Sequence, residues 1–148
     1  MFGFIRNIFW GSAAAGSLPV ALSTGRALVA YRSEHVFEPH TYGVIGGAID
    51  ERETPEMAAL RELQEETEYT GPVKLIPAYI FKDKSGFRYY NFIAAVPEEF
   101  LPHPNWETEY FAWVDLPRLS TLEPKHFGLR ALLNDKISRA LLERLCSL

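Results

Sequence analysis

Cysteine is almost missing: Cys146 is the only one in 148 residues, which excludes an internal disulfide framework and a Cys-based zinc site. That scarcity suits a reducing compartment, and the expected location is cytoplasmic. Positive charge is not in excess either. The chain has 15 Lys and Arg against 19 Asp and Glu, a formal charge of −4, so the overall field does not favour a groove for long nucleic acid. Long apolar runs are lacking too. No stretch approaches the ~20 apolar residues of a membrane span, and no repeat, low-complexity tract or linker divides the sequence. What is there, 47% apolar and 23% charged residues, matches a globular protein with one packed core. His35, His40, His103 and His126 lack metal-ligand spacing and read as surface or capping residues.

Residues 1–16 form an apolar N-terminal segment. Ala13-Ala14-Ala15 has a faint likeness to a signal-peptide cleavage region, yet Arg6 is its only positive charge and Gly11, Ser12, Gly16, Ser17 and Pro19 break the run. Neither export nor a span is expected. Three roles are open for Phe2, Phe4, Ile5, Ile8, Phe9 and Trp10: capping the core, a homodimer contact, or touching a membrane surface. Residues 17–148 are expected to form a single domain. In it, Val20-Ala21-Leu22 and Ala27–Tyr31 flank Ser23-Thr24-Gly25-Arg26, which predicts a hairpin with Gly25 at positive φ.

Tyr42 to Asp50 reads as a short strand interrupted by glycines, which mark a close backbone approach. Thr54-Pro55-Glu56 starts a helix, with a hydroxyl cap, proline in the first turn and an acid beside it. That helix should run to about Thr67 and present Ala59, Leu60 and Leu63 to a sheet. A second hairpin follows, Val73 to Phe81 and Phe87 to Val96 around Lys82–Gly86, then a strand over Tyr110–Val114. Leu129, Leu132, Leu133, Ile137, Leu141, Leu142 and Leu145 form a final helical stripe. Strands and helices thus share one α+β unit.

The acidity is concentrated between Asp50 and Glu68, where eight acids face two arginines. On a helix Glu62 shares a face with Glu65 and Glu66, and each like-charge pair costs about 0.2–0.5 kcal/mol. A solvated face is the plain alternative. A cluster with no opposing lysine is also how oxygen ligands gather a hard cation such as Mg²⁺, which in turn admits a polyphosphate.

These residues resemble the Nudix box, G-x5-E-x7-R-E-U-x-E-E-x-G-U with U a bulky apolar residue. Gly47, Glu53, Arg61, Glu62, Leu63, Glu65, Glu66 and Tyr69 fall in place, whereas Glu68 stands where the second glycine is expected. Chance placement of six fixed matches is on the order of 10⁻⁵ over the chain. The resemblance implies a Nudix-like α/β/α sandwich with a mixed β-sheet. It also implies hydrolysis of a diphosphate linkage in a nucleoside diphosphate derivative, with Mg²⁺ or Mn²⁺ as cofactor and a nucleotide-type small molecule as partner. Modified nucleoside triphosphates, dinucleoside polyphosphates and nucleotide sugars all stay open. The rival is a catalytically silent nucleotide-sensing domain of the same fold.

The family's roles carry over position by position. Glu65 and Glu66 would be principal metal ligands, and Glu62 a further ligand or the base for the attacking water. Arg61 would orient the glutamates by bidentate hydrogen bonding, the Gly46 carbonyl would join the metal, and Glu53, on the loop before the helix, would be positional more often than catalytic. Outside the box, Arg32 and the aromatics Tyr42 and Tyr89 are candidates for substrate, with Phe87 and Tyr90 weighed beside them. Of Glu107 and Glu109, which precede the Trp113 strand, Glu109 is taken as the extra carboxylate near the metal. Ile45 replaces a proline common in the family, which reshapes the site's entry without removing a ligand.

Overall fold

Small and apolar residues from Ala13 to Ala21 make strand β1, and Arg26–Arg32 makes β2. The computed structural model describes residues 12–147. The roles open to residues 2–10 lie outside that range. Because β1 starts at Ala13, residues 13–16 of the apolar segment pair in the sheet. The expected hairpin closes as Gly25, at φ 70°, donates its N–H to the Ala21 carbonyl at 2.8 Å, a conformation that glycine adopts without steric cost.

The predicted strand over Tyr42–Asp50 is two strands with different partners. β3 (Tyr42–Gly43) pairs with β2, and β4 (Ile45–Ala48) pairs antiparallel with the first half of β1. Helix α1 spans Pro55–Thr67; Thr54 Oγ1 accepts from the Met57 N–H at 3.1 Å, as the sequence signalled. The second hairpin is β5 (Lys74–Lys82) and β6 (Arg88–Val96), and β7 (Thr108–Val114) lies along β2. Helix α2 (Leu116–Thr121) was not anticipated, although Asp115 caps it and Pro117 sits in its first turn. The final stripe divides into α3 (Phe127–Asn134) and α4 (Lys136–Cys146), because the Asp135 carboxylate caps the Ser138 N–H at 2.9 Å.

Among the described residues, the seven strands form one mixed sheet, β3-β2-β1-β6-β5 with β4 on β1 and β7 on β2. β1 and β6 run parallel, in register from Ala13↔Arg88 to Ala21↔Val96. Alternation along β2 fills both faces. Ala27 and Val29 pack with Leu119, Leu129, Leu132 and Leu142 of the C-terminal helices, while Leu28 and Ala30 pack with Leu63 of α1. The result is the expected α+β sandwich.

One expectation about α1 is corrected. Leu60 is 43% exposed, and Ala58, Ala59, Glu62, Leu63, Glu66 and Thr67 are the residues that α1 buries. Positions 58/59, 62/63 and 66/67 repeat every four residues, so two glutamates ride on the edge of the buried face. The acids are therefore not all on the solvent side, and this places the site.

Candidate active site

A cavity of about 190 Å³ opens where β4, the middle of α1 and the segment before β7 meet. Gly46, Gly47, Ala48, Asp50, Arg61 and Glu62 line one wall; Arg32, Tyr89 and His126 line the other; Val36, Phe37, Trp106 and Glu107 complete it. Gly47 is required by a close approach. A β-carbon there would lie 2.8 Å from Glu62 Cδ, so only a bare backbone lets that carboxylate rest on β4. At Gly46 an added β-carbon would meet the Gly16 backbone and, at 2.7 Å, the Tyr89 hydroxyl.

Arg61 organises the acidic wall. Its Nε and Nη2 donate to Glu53 Oε2 and Oε1 at 2.7 and 2.9 Å, Nη2 also to the Ala48 carbonyl at 3.0 Å, and Nη1 to Glu62 Oε1 at 3.1 Å and Glu65 at 3.4 Å. The bidentate partner is thus Glu53, which the Arg61 guanidinium and the Asp50 N–H hold down at a pKa of about 2. The fork fixes the helix to the β4 loop and aims Glu62 inward. Glu65 keeps its side chain 57% exposed.

Glu66 is 5% exposed, and among the described residues its Oε2 has no hydrogen-bond partner. Burial first, then the adjoining Glu62 and Glu107 carboxyls, raise its pKa well above the usual carboxylate range. Glu107 is raised too, by burial and by Glu62. An orphaned buried carboxylate oxygen among like charges fits a hard cation. Among the described residues no three His, Cys, Asp or Glu already form a cage, and Mg²⁺ does not need one, since it takes one or two carboxylates and fills its other positions with water and phosphate.

Glu107, not Glu109, meets the cluster. Tyr31 pairs with Tyr110 and Arg32 with Thr108, so a bulge skips Glu109 and leaves it exposed on β7. Tyr42 is also displaced from the cavity: its hydroxyl shares a 2.6 Å hydrogen bond with Tyr110, and its ring packs 4.9 Å from Tyr31. Tyr89 does line the cavity, but it is 3% exposed and brings its hydroxyl rather than an open ring face. Phe87 is core and Tyr90 packs beside Phe92 on the α1 side. Arg32 reaches the cavity with Nε bonded to the Phe37 carbonyl at 2.9 Å, which ties down the loop after β2. Sequence reasoning missed His126, a buried cap of α3 that faces the same space. The four histidines were read together as surface or capping residues; His126 does cap a helix but is buried, and nothing in the linear spacing signalled the cavity.

The left-handed helix end is present where the second box glycine should be. Glu68 has φ 65° and ψ 15°, and its N–H donates to the Gln64 carbonyl at 2.8 Å. A β-carbon in that conformation costs on the order of 1 kcal/mol.

A mixed sheet between helical layers, with glutamates of one helix gathered over a Gly-Gly strand, defines a recognisable class of α+β domain. The chain belongs to the Nudix family, whose NUDIX domain model matches residues 12–135. No curated protein sequence matches it. Solved structures share the fold. A Nudix hydrolase from M. smegmatis, RenU, is 23% identical over 95% of this chain and 88% of its own, with a TM-score of 0.69. The NUDIX domain of Shewanella oneidensis NrtR, in complex with ADP ribose, is 20% identical over 90% and 88%, with a TM-score of 0.67. A C. elegans Ap4A hydrolase is 20% identical over 86% and 97%, with a TM-score of 0.66. No helix among the described residues is long and apolar enough to cross a membrane.

Proposed function

We propose that this chain hydrolyses a diphosphate linkage in a nucleoside diphosphate derivative, with Mg²⁺ or Mn²⁺ bound at Glu62, Glu65, Glu66 and the Gly46 carbonyl. The observation that carries the reading is the buried, partnerless Glu66 Oε2 against the Glu62 carboxyl at the edge of an open cavity. A bound divalent ion would offset the clustered charge and polarise the phosphoryl oxygens. Glu62, aimed by Arg61, accepts the proton of the attacking water. The water oxygen bonds to phosphorus as the bridging P–O bond breaks, and the displaced phosphate leaves with the bridging oxygen. Glu107 takes the place that the sequence reading gave to Glu109. The NrtR domain bound to ADP ribose and the Ap4A hydrolase support a nucleotide-type ligand for this fold.

The test is a panel of nucleoside triphosphates, dinucleoside polyphosphates and nucleotide sugars, incubated with Mg²⁺ or Mn²⁺, with both products of each cleavage identified. One class should be cut to two phosphorylated products, and chelation should stop the reaction. Binding without cleavage under every condition would instead establish the catalytically silent alternative.

A further inference from the structure

His126 is 2% exposed, and its two ring nitrogens have different fates. Nδ1 accepts the Gly128 N–H at 3.1 Å and so caps the first turn of α3. A nitrogen that accepts carries no proton, so the neutral ring holds its proton on Nε2. Among the described residues that Nε2 has no hydrogen-bond partner. Glu38 Oε1 is 3.9 Å from it, beyond hydrogen-bond reach, and already accepts the Phe127 N–H at 3.0 Å. Burial, with Arg32 and Arg130 nearby, holds the imidazole well below its ordinary pKa, in keeping with a neutral ring.

The surroundings indicate what the free donor would meet. Arg32 Cδ and the His126 ring both crowd Gly43, where an added β-carbon would lie 3.4 Å from the first and 3.6 Å from His126 Cγ. The Tyr89 ring centroid is 6.1 Å from that of His126, and all three residues line the cavity. The lining here therefore brings together a cation, a histidine whose Nε2–H is buried and unpartnered among the described residues, and a phenol. A ligand that suits both walls carries oxygen acceptors on a group separate from the one held at Glu62 and Glu66.

We propose that His126, fixed as the Nε2–H tautomer by its own helix cap, donates a hydrogen bond to a non-bridging phosphoryl oxygen of the substrate beside Arg32. The assignment rests on the diphosphate reading above and extends it to the second wall. His126 is in this view a binding residue, and the geometry gives it no proton-transfer role.

Two substitutions separate the nitrogens. His126→Asn places an oxygen near the Nδ1 position, keeping the cap and losing the donor; His126→Gln reaches the Nε2 position, keeping a donor and losing the cap. Calorimetry with inorganic pyrophosphate and Mg²⁺ reads the phosphoryl contact without a base. His126→Asn should bind about tenfold or more weakly while still capping Gly128. His126→Gln should bind within about threefold of wild type yet melt a few degrees lower. A merely structural histidine would lose affinity only as stability falls. Histidine ¹⁵N spectra of the ligand-free protein should show His126 protonated on Nε2, and a proton on Nδ1 would overturn the assignment, as would equal affinity in all three proteins. If wild type cleaves a nucleotide but does not bind pyrophosphate, this assignment falls and the hydrolase reading stands. If it binds pyrophosphate through His126 and cleaves nothing, the hydrolase reading falls and the assignment stands.

Discussion

The two walls of the cavity are built in contrasting ways. The acidic wall of the cavity comes from one stretch of chain, Gly46 to Glu62, in which β4, its loop and α1 follow each other. The opposite wall takes Arg32 from the end of β2, Tyr89 from β6 and His126 from the residue before α3. Local spacing suffices for the first, because residues three and four apart on a helix are neighbours in any fold. Only sheet register brings the second together, since Arg32 and Tyr89 sit on strands separated by β1.

The difference extends to electrostatics. Arg61 satisfies Glu53, Glu62 and Glu65 with one guanidinium, yet leaves Glu66 buried with no hydrogen-bond partner on Oε2 among the described residues. The far wall is cationic and donor-rich, with Arg32 itself lowered in pKa by burial. A ligand carrying metal on one side and phosphoryl oxygen on the other meets both demands.

The largest effect should come from removing a carboxylate on the acidic wall. Glu66→Gln is expected to cut turnover at saturating Mg²⁺ by about 100-fold or more, because it keeps the shape and deletes an anionic ligand. The metal-free protein should melt no lower than wild type, because a neutral amide replaces a carboxyl whose charged form is disfavoured by burial and by the Glu62 and Glu107 carboxyls. Glu65→Gln should lose comparable turnover without that relief, because its side chain is half exposed. Steady-state rates and melting curves in Mg²⁺ and in chelator check both, and wild-type turnover in either variant would break the assignment of this wall.

A smaller effect is expected where the wall is anchored. The Glu53 carboxyl titrates at about 2 in the folded protein against an ordinary 4.5, so its contribution to stability is complete above about pH 4.5 and is lost as the pH falls through 2. Glu53→Gln removes that dependence. Denaturation of the two proteins should therefore show the largest wild-type advantage at neutral pH and convergence as pH approaches 2. A difference independent of pH would mean that Arg61 gains nothing from the charge of Glu53.

The smallest effect concerns the end of α1. Glu68→Gly relieves a left-handed β-carbon worth about 1 kcal/mol and lowers local negative charge, while the added freedom of glycine in the unfolded chain costs about 0.5–1 kcal/mol. The expected net is a gain of at most about two or three degrees in melting temperature, with turnover retained. Clear destabilisation, or loss of turnover at unchanged metal affinity, would show that the Glu68 side chain contributes to the acidic wall directly.

Several elements are legible in the sequence, each for a local reason. Thr54 and Pro55 marked the helix start because a cap and a first-turn proline act within four residues. Gly25 marked the hairpin because one left-handed residue decides the turn. Helix α2 passed unnoticed, since six residues with a single buried leucine carry too little periodicity. Leu60 was misplaced because apolar character alone does not say which side of a short helix the sheet will cover.

By itself the sequence determined the acidic wall: the glycine pair, the Arg61 anchor and three glutamates at helical spacing, together with the chemistry that such a charge cluster invites. The tertiary structure decided what opposes it. A bulge between β2 and β7 selected Glu107 over Glu109, the register of β3 on β2 drew Tyr42 into a tyrosine cluster, and the packing of α3 against the sheet turned His126 from a cap into a wall of the cavity. The physical reason is that side-chain direction along a strand alternates with every residue. A one-residue shift in pairing therefore sends a different side chain to the site, and pairing between distant strands is fixed only when the core closes.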